Sequence, residues 1–378
     1  MEHTTPFYRD SWVEVDLERI KYNINQLQKR LSKKTKIYAV VKADGYGHGD
    51  IQVAKKALES GASGLAVALL DEAIRLRDKG ISAPILVMGW IRPEDVSVAA
   101  KKDIAVTFFQ KEWLQTVKQM RFDRPLKLHM KWDTGMGRIG IRDEDELIDI
   151  IQELDDDRFE LEGVFTHFAT ADEENKTYYQ KQLSAFNRLL DTFRSIWKKP
   201  VTIHTGNSAA SMRFPEDMQQ YVRFGISMYG LYPSPIVKNE RPIDLKPAFS
   251  LHSKLIHIKK VYAGDSISYG ATYTAEQPEW IGTIPLGYAD GIRRKLQGTD
   301  VLIGGKRFQI VGRICMDQLM IRLDKHYPVG TTVTLIGAQG NDEITMDEIA
   351  STLDTINYEV ACMISERVKR VYLNNDKS

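Results

Sequence analysis

Short apolar segments alternate with amphipathic ones through roughly the first 235 residues, and this alternation constrains the fold more than any other feature. Apolar runs of this length predict buried strands, and the segments between them have helical periodicity. Eight strands alternating with helices predict a (β/α)8 barrel of the usual size, about 250 residues, although counting leaves a doubly wound open sheet as the alternative. The predicted strands span residues 37–43, 64–69, 84–90, 104–109, 126–133, 161–168, 201–207 and 219–224.

The predicted helices are charged on one face and apolar on the other. The longest, over residues 175–198, has large apolar side chains on one stripe, which indicates a face packed on a core. A strand-like stretch at residues 12–15 comes before the first helix. The other helices span residues 17–31, 71–79, 111–120 and 143–154.

A second domain is predicted after a proline-rich segment at residues 233–242. From residue 251 the apolar positions alternate with period two, and glycine-rich turns separate short segments, which is typical of β structure. The sequence therefore predicts a barrel domain over residues 12–242 and a mostly β domain over residues 243–378. Its further strands are expected at residues 280–286, 300–303, 307–311, 318–323 and 332–336, with one short helix at 345–353.

Charge and cysteine content argue against several function classes. The chain has 52 basic and 51 acidic residues, so it lacks the basic excess of a nucleic-acid-binding protein or an electrostatic membrane tether. Its two cysteines, Cys315 and Cys362, cannot build a disulfide scaffold or a CxxC metal site. No apolar run reaches the length of a membrane span. We expect a cytoplasmic protein without nucleic-acid, membrane or metal partners.

A lysine in the segment Ala39–Gly49 is the first candidate for chemistry. Lys42 follows a predicted buried strand, and three glycines alternating with aromatic residues come after it. A lysine with a lowered pKa in an apolar site can form a Schiff base with an aldehyde cofactor. The plainer interpretation is a lysine at the solvent-facing end of a strand, and this segment alone favours it.

Further polar residues occur where other predicted barrel strands end. Catalytic groups of such barrels gather at the carboxyl ends of the strands, and phosphate often binds after strands seven and eight. Ser208, together with the backbone amides of Gly225 and Ile226, could hold a phosphate there. The other strand-end segments are Lys131–Arg138, Thr166–Phe168 and His204–Ser208.

Taken together, these motifs resemble the alanine racemase family of barrel enzymes, which depend on pyridoxal 5′-phosphate. The resemblance covers essentially the whole chain and rests on Ala39–Gly49, Lys131–Gly140, Arg223–Gly230, Ser268–Tyr269 and Val311–Gln318. It implies a barrel followed by a β domain, interconversion of L-alanine and D-alanine that supplies peptidoglycan, and a homodimer with shared active sites.

The resemblance also implies a role for each matching position. Lys42 holds the cofactor and acts as one base, and Tyr269 of the partner subunit acts as the other. The positions that match the family's phosphate-binding residues are Tyr46, Ser208, Gly225, Ile226 and Tyr358. Arg223 matches the arginine that faces the pyridine nitrogen of the cofactor, with His167 beside it, and Asn207 is a further cofactor position. The substrate positions are Arg138, Met316 and Asp317, and the substrate access path matches Asp172, Tyr288, Arg294, Arg313 and Ile356.

These roles agree with the chemistry of racemisation. Two bases on opposite faces can remove a proton from Cα and return one on the other side. Lysine and tyrosine have ordinary pKa values near ~10, so both must be lowered to work near neutral pH. A guanidinium such as Arg223 does not give up its proton, so it leaves the pyridine nitrogen unprotonated and weakens the cofactor as an electron sink. That disfavours transamination and decarboxylation.

Lys131 is a candidate for modification, because the resemblance implies a carbamylated lysine that orients Arg138. The alternative is an ordinary lysine at the end of a barrel strand. Taken singly, other candidates also have plain interpretations: His167 as a core histidine, Arg223 as an ion-pair partner, and Tyr358 as an anchor of the second domain.

Three other functions stay open on the sequence. An amino-acid decarboxylase on the same plan needs an acidic partner for the pyridine nitrogen, and Arg223 argues against it. A serine or broad-specificity racemase differs only in its pocket. A non-enzymatic carrier of pyridoxal phosphate would lack the second domain, and with it Tyr269 and Met316.

Overall fold

The structure, a computed structural model, describes residues 8–373 and divides into two compact units. One unit comprises residues 19–45 and 50–247, and the other comprises 8–18, 46–49 and 248–373 of the described chain. No helix within residues 8–373 is both long enough and apolar enough to span a bilayer.

Eight parallel strands close into a barrel in the first unit. Each strand pairs with the next, and the last pairs with the first, which confirms the predicted (β/α)8 barrel and excludes the open sheet. Several strands are buried along their whole length, as expected where helices cover the outer face and side chains fill the interior. The strands are Lys36–Val40, Gly64–Val67, Ile85–Val87, Ala105–Phe108, Leu126–Lys131, Phe159–Phe165, Thr202–Gly206 and Tyr221–Phe224.

The longer helices around these strands bury one mainly apolar stripe each. In Thr177–Ile196, Phe186 and Phe193 pack on Trp132 with ring centroids 5.2 and 5.8 Å apart. The other α-helices are Leu17–Arg30, Asp50–Glu59, Leu70–Asp78, Val96–Lys101, Lys111–Lys118, Glu144–Gln152, Ser208–Arg213 and Pro235–Glu240, with 3-10 turns at Pro93–Asp95, Pro215–Asp217 and Ile226–Tyr229.

The second unit is built on a ten-stranded sheet, as the period-two pattern predicted. The helices Met346–Leu353 and Asn357–Met363 also belong to this unit, with 3-10 turns at Tyr269–Ala271, Tyr288–Asp290 and Arg294–Leu296. Its C-terminal strands are Phe249–Lys254, His257–Val261, Glu279–Ile284, Asp300–Ile303, Lys306–Val311, Leu319–Leu323, Thr332–Gln339, Asp342–Ile344 and Lys369–Leu373, and a separate hairpin joins Ser266–Ile267 to Tyr273–Thr274.

The N-terminal strand Ser11–Asp16 belongs to this sheet, although the predicted barrel domain begins at residue 12. It pairs antiparallel with Phe249–Lys254 and parallel with Lys369–Leu373. Its residues alternate between buried and half-buried, which is typical of a strand with one covered face rather than a barrel strand. The predicted boundary between residues 242 and 243 stays a prediction.

The second unit also contains a helix that the sequence analysis missed. The expected helix is present as Met346–Leu353, and the Thr345 hydroxyl caps it by accepting from the Glu348 amide at 3.1 Å. The chain leaves this helix through Asp354, which has φ 60°, and the second helix, Asn357–Met363, then follows. Seven residues are too few to show a helical period against the surrounding β pattern.

Candidate active site

Lys42 lies two residues beyond the strand Lys36–Val40 and is half-buried. A left-handed turn follows it, in which Ala43 has φ 52° and ψ 53°, and Asp44 has φ 52° and ψ 47°. Left-handed backbone costs a non-glycine residue about 1–2 kcal/mol. Hydrogen bonds hold the turn, among them the Ala43 amide to the Glu72 carboxylate at 2.6 Å. Such strain is typical of functional segments.

Four cationic side chains act on one another at the carboxyl ends of the barrel strands. Lys131 is 3% exposed, and its Nζ lies 5.7 Å from the centroid of the Phe165 ring. Burial lowers the pKa of Lys131 to about 8, and the charges on Arg138, Arg223 and Lys42 contribute, while Asp133 opposes them. An amine with this pKa is still mostly protonated at pH 7 but has a larger neutral fraction than an ordinary lysine, and the cluster favours anionic ligands.

Arg138 lies in the loop that follows the strand of Lys131. The Asp133 carboxylate accepts from the amides of Gly135 and Gly137 at 3.1 and 2.9 Å, which shapes this loop. Arg138 itself is exposed. The predicted motif Lys131–Gly140 is therefore an ordered loop that presents an arginine beside a buried lysine.

Arg223 is buried in the barrel and donates to five acceptor atoms. Nη1 donates to Nδ1 and to the carbonyl of His204, at 2.9 and 3.0 Å. Nη2 donates to the carbonyls of Thr166 and Thr205, at 2.7 and 3.1 Å, and lies 3.3 Å from His167 Nδ1. Burial lowers the pKa of Arg223, yet all its partners accept, so they hold the protonated guanidinium.

His167 lies beside Arg223, as the resemblance implied. Burial lowers its pKa well below the usual range, and the charges on Arg223, Lys131, Arg138 and Lys42 add to that effect. The ring is therefore neutral at physiological pH and can accept from the guanidinium.

Ser208 and Gly225 meet at the predicted phosphate position. The Ser208 hydroxyl accepts from the Gly225 amide at 3.0 Å, and Ile226 begins the following 3-10 turn. The Asn207 side chain has a structural role, because its oxygen caps the helix Ser208–Arg213 through the Ala210 amide at 2.9 Å and its nitrogen donates to Phe168 O at 3.2 Å. The structure thus groups these predicted residues at the ends of two barrel strands.

Two further predicted phosphate residues come together in the second unit. The rings of Tyr46 and Tyr358 have centroids 6.4 Å apart. Gly47 lies directly against the carbonyl of Ala361, so the segment of residues 46–49 packs on the helix Asn357–Met363. Ile356, predicted on the access path, precedes this helix and is 58% exposed.

Tyr269 and Met316 are exposed, by 72% and 53% of their surface. Tyr269 follows Ser268, whose φ is 68° and whose hydroxyl donates to the Arg313 carbonyl at 2.6 Å. The Tyr288 amide donates to the Cys315 carbonyl at 3.0 Å, which brings the segment of Tyr288 against that of Met316.

The remaining predicted residues have separate local surroundings. Asp317 accepts from Arg367 Nη2 at 2.6 Å and is 56% exposed, which agrees with a turn residue held by a surface ion pair. Arg294 is exposed on a short 3-10 turn of the second unit. Asp172 belongs to the barrel unit, where burial raises its pKa.

Two buried histidines had no predicted role: His204 beside Arg223, and His129 beside His204. His204 contacts the guanidinium directly, and His129 Nδ1 lies 2.9 Å from His204 Nε2. His129 and Lys131 are two residues apart on one strand, so they share a face. A charged or polar pair at alternate positions of an apolar strand is the signal that could have identified them.

These residues fit a cofactor that carries an aldehyde and a phosphate. Lys42 offers an amine among cations, and Ser208 with the Gly225 amide offers polar groups at a helix start. Within residues 8–373 the acidic, histidine and cysteine side chains form no cluster suited to a metal ion.

Comparison with known proteins identifies the family. Residues 15–233 match the alanine racemase N-terminal domain, and residues 248–372 match the alanine racemase C-terminal domain. The chain is 55% identical over 373 residues to the alanine racemase of Geobacillus kaustophilus, with 98% of this chain and 96% of that protein covered. It is 52% identical over 373 residues to alanine racemase 1 of Bacillus subtilis, with 98% and 95% covered.

Solved structures agree with this assignment. The alanine racemase of Bacillus anthracis with bound L-Ala-P superposes with a TM-score of 0.96 at 49% identity, covering 99% of this chain and 97% of that one. A histidine racemase from Leuconostoc mesenteroides is more distant, with a TM-score of 0.90 at 31% identity, covering 99% of this chain and 100% of that one. The chain therefore belongs to the alanine racemase family and is an isomerase.

Proposed function

We propose that this protein interconverts L-alanine and D-alanine with pyridoxal 5′-phosphate, using Lys42 and Tyr269 as its two bases. The observation that carries this proposal is the buried guanidinium of Arg223, which all five of its partners hold as a hydrogen-bond donor. A cation at this position opposes protonation of a pyridine nitrogen. It therefore favours racemisation over decarboxylation, the chief alternative.

The resemblance assigns a part of the cofactor to each predicted residue. Lys42 would bind its aldehyde carbon, Tyr46, Ser208, Gly225, Ile226 and Tyr358 its phosphate, and Arg223 its ring nitrogen, with His167 and Asn207 nearby. When bound, pyridoxal phosphate supplies an electron sink that acidifies the Cα hydrogen of an amino acid. Arg138, Met316 and Asp317 would bind the substrate.

The two bases would work from opposite faces of the substrate. Lys42 Nζ would take the proton from one face of Cα, and the phenol of Tyr269 of the partner subunit would give one to the other. The exposure of Tyr269 supports its contribution to another subunit, and hence a homodimer.

Lys131 would be carbamylated. Its lowered pKa raises the fraction of neutral amine, whose nitrogen can attack carbon dioxide and lose one proton. The resulting carbamate is an anion and would orient Arg138 through a charge-assisted hydrogen bond. After exposure to ¹³CO2, we expect a ¹³C carbamate resonance from the wild-type protein and none from Lys131→Met. Its absence from the wild-type protein would contradict the modification.

Alanine is the proposed substrate because the relatives named alanine racemase match over the whole chain. Slow activity on serine is compatible with such a pocket, because a single added hydroxyl is hard to reject. A cytoplasmic location and the supply of D-alanine for peptidoglycan stay predictions.

The decisive experiment measures D-alanine formed from L-alanine by the purified protein with added pyridoxal phosphate. We expect rapid formation, and loss of it in Lys42→Ala. A wild-type protein that binds the cofactor but forms no D-alanine would contradict the proposed function. Release of carbon dioxide from a basic amino acid would instead support the decarboxylase alternative.

A further inference from the structure

A chain of buried polar groups continues from Arg223 through the interior of the barrel. Arg223 Nη1 lies 2.9 Å from His204 Nδ1, and His204 Nε2 lies 2.9 Å from His129 Nδ1. Both histidines are at most 1% exposed. His129 Nε2 has no hydrogen-bond partner within the described part of the protein, but it lies 3.7 Å from the Glu162 carboxylate. A small shift of either side chain would bring His129 Nε2 within hydrogen-bonding distance of the Glu162 carboxylate.

The hydrogen bonds of this chain have one direction. A guanidinium only donates, so His204 accepts at Nδ1 and carries its proton on Nε2. His129 then accepts at Nδ1 and carries its proton on Nε2, which points toward Glu162. Burial lowers the pKa of both histidines and keeps them neutral. Glu162 opposes this effect at His129, and the charge on Arg223 adds to it at both rings.

The far end of the chain is an anion. Burial alone would raise the pKa of Glu162. The interactions of its carboxylate with the His129 ring and with the positive charge on Lys127 outweigh burial, so the pKa of Glu162 is lowered. Glu162 is 29% exposed and lines an open pocket with residues at the starts of barrel strands, namely Pro125, Phe159 and Pro200. The chain thus links a cation at the carboxyl ends of the strands to a carboxylate near their amino ends.

The local backbone is adapted to this chain. The pairing of Leu126–Lys131 with Phe159–Phe165 shifts register at His129, and Glu162 is the extra residue of that bulge. The next residue, Gly163, has no side chain where a Cβ would collide with the His129 ring. A second register shift, at Thr205, places two successive carbonyls on the guanidinium.

We propose that His129 and Glu162 are positioning residues that act on Arg223 through His204. Together they hold the guanidinium in one orientation and compensate its charge from the far side of the barrel. This inference rests on the proposed role of Arg223 opposite the pyridine nitrogen. Without His129, the buried Nε2–H of His204 loses its acceptor, and the guanidinium loses the support that fixes its position.

The chain itself can be tested without cofactor or activity. In the full-length protein labelled with ¹⁵N-histidine, we expect neutral rings protonated on Nε2 for His129 and His204 across pH 6–9. In Glu162→Gln, the His129 Nε2 resonance should shift. A charged ring, a proton on Nδ1, or an unchanged His129 resonance in that variant would overturn the proposal.

The effect on the reaction is tested with His129→Leu, which keeps the volume and removes the link. We expect kcat to fall about tenfold with KM changed less than about twofold, and more pyruvate, the product of competing transamination, per D-alanine. His129→Gln, which can accept and donate, should restore most of the loss.

The matched control is Thr107→Val, because Thr107 is buried, pairs with His129 across the strands and donates to Val87 O at 2.7 Å instead. An equal change in kcat and pyruvate in the two variants would overturn the positioning role. A wild-type protein that forms no D-alanine but shows the expected histidine resonances would instead contradict the proposed function.

Discussion

At the scale of single residues, the barrel unit is defined by buried cations. Lys131 and Arg223 are each 3% exposed, and charge at such burial is costly unless partners compensate it. Arg223 donates to five acceptor atoms. Lys131 interacts mainly with other cations, and its own pKa is lowered. The two residues therefore respond differently to pH.

The first prediction concerns stability and Lys131. Its pKa of about 8 in the folded state lies below the ordinary value of about 10.4, so the unfolded state binds more protons between these values. Lys131 therefore destabilises the fold below pH 8, and this effect disappears as pH rises toward 10. Lys131→Met should melt at a higher temperature than the wild type at pH 7, with a smaller difference at pH 9.5.

Melting curves in buffers free of carbon dioxide separate this effect from carbamylation. Lys127→Met is the control, since its carboxylate partners raise rather than lower the pKa of Lys127. A melting difference for Lys131→Met that does not change with pH would contradict the assignment.

The second prediction concerns substrate size and Tyr358. We propose, from the resemblance, that the rings of Tyr269 and Tyr358 narrow the access path. Tyr358→Ala should then raise kcat/KM for larger amino acids relative to alanine, because steric exclusion is lost. The control is Tyr262→Ala, which removes an exposed ring elsewhere in the second unit. Equal substrate selectivity in Tyr358→Ala and the wild type would show that Tyr358 does not limit substrate size.

At the scale of elements, turns with left-handed backbone determine where functional side chains lie. Lys42 precedes one such turn, and Tyr269 follows Ser268, which has φ 68°. The segment after Lys42 continues through Gly47, which has φ 78° and packs on the helix Asn357–Met363. Close packing of backbone on backbone leaves no room for a side chain there.

The third prediction is that Gly47→Ala destabilises the protein by at least about 2 kcal/mol, because its Cβ would collide with the Ala361 carbonyl in addition to the backbone strain. Gly80→Ala is the matched control, since Gly80 has φ 81° but no atom within 4 Å of its Cβ position, and should cost about 1 kcal/mol. Urea unfolding measures both. Equal losses would show that the contact with Ala361 has no effect.

At the scale of the whole molecule, the two units differ in how the chain builds them. The barrel is nearly continuous in sequence, whereas the second unit combines residues 8–18, 46–49 and 248–373 of the described chain. Tyr269 and Met316 are exposed on that second unit. In the proposed homodimer, Tyr269 and Met316 of one subunit would complete the active site of the other, so activity would depend on dimerisation.

The fourth prediction tests this sharing by complementation. When inactive Lys42→Ala and Tyr269→Ala proteins are refolded together, half of the dimers are mixed, and each has one intact site. Activity should return to about a quarter of the wild-type value. Each variant refolded alone is the control. No recovery, despite mixed dimers shown by mass spectrometry of differently tagged chains, would contradict shared sites.

The sequence by itself determined the alternation of eight buried strands with helices, whereas the structure decided that these strands close into a barrel. Strands such as Gly64–Val67 and Ile85–Val87 are buried on both faces, and this burial leaves continuous apolar runs that can be counted. The motif around Lys42 was equally visible, because its glycines and aromatic residues are local. The cap at Thr345 likewise follows from neighbouring residues.

Only the tertiary structure decided which sheet takes Ser11–Asp16 and how Arg223 is held. That strand pairs with partners more than 200 residues away, and no local pattern specifies them. The contact of His129 with His204 joins positions 75 residues apart, and the direction of its hydrogen bonds depends on Arg223 and Glu162 at the two ends. Hydrogen bonding in a closed barrel is set by strand register, which a sequence without its fold does not reveal.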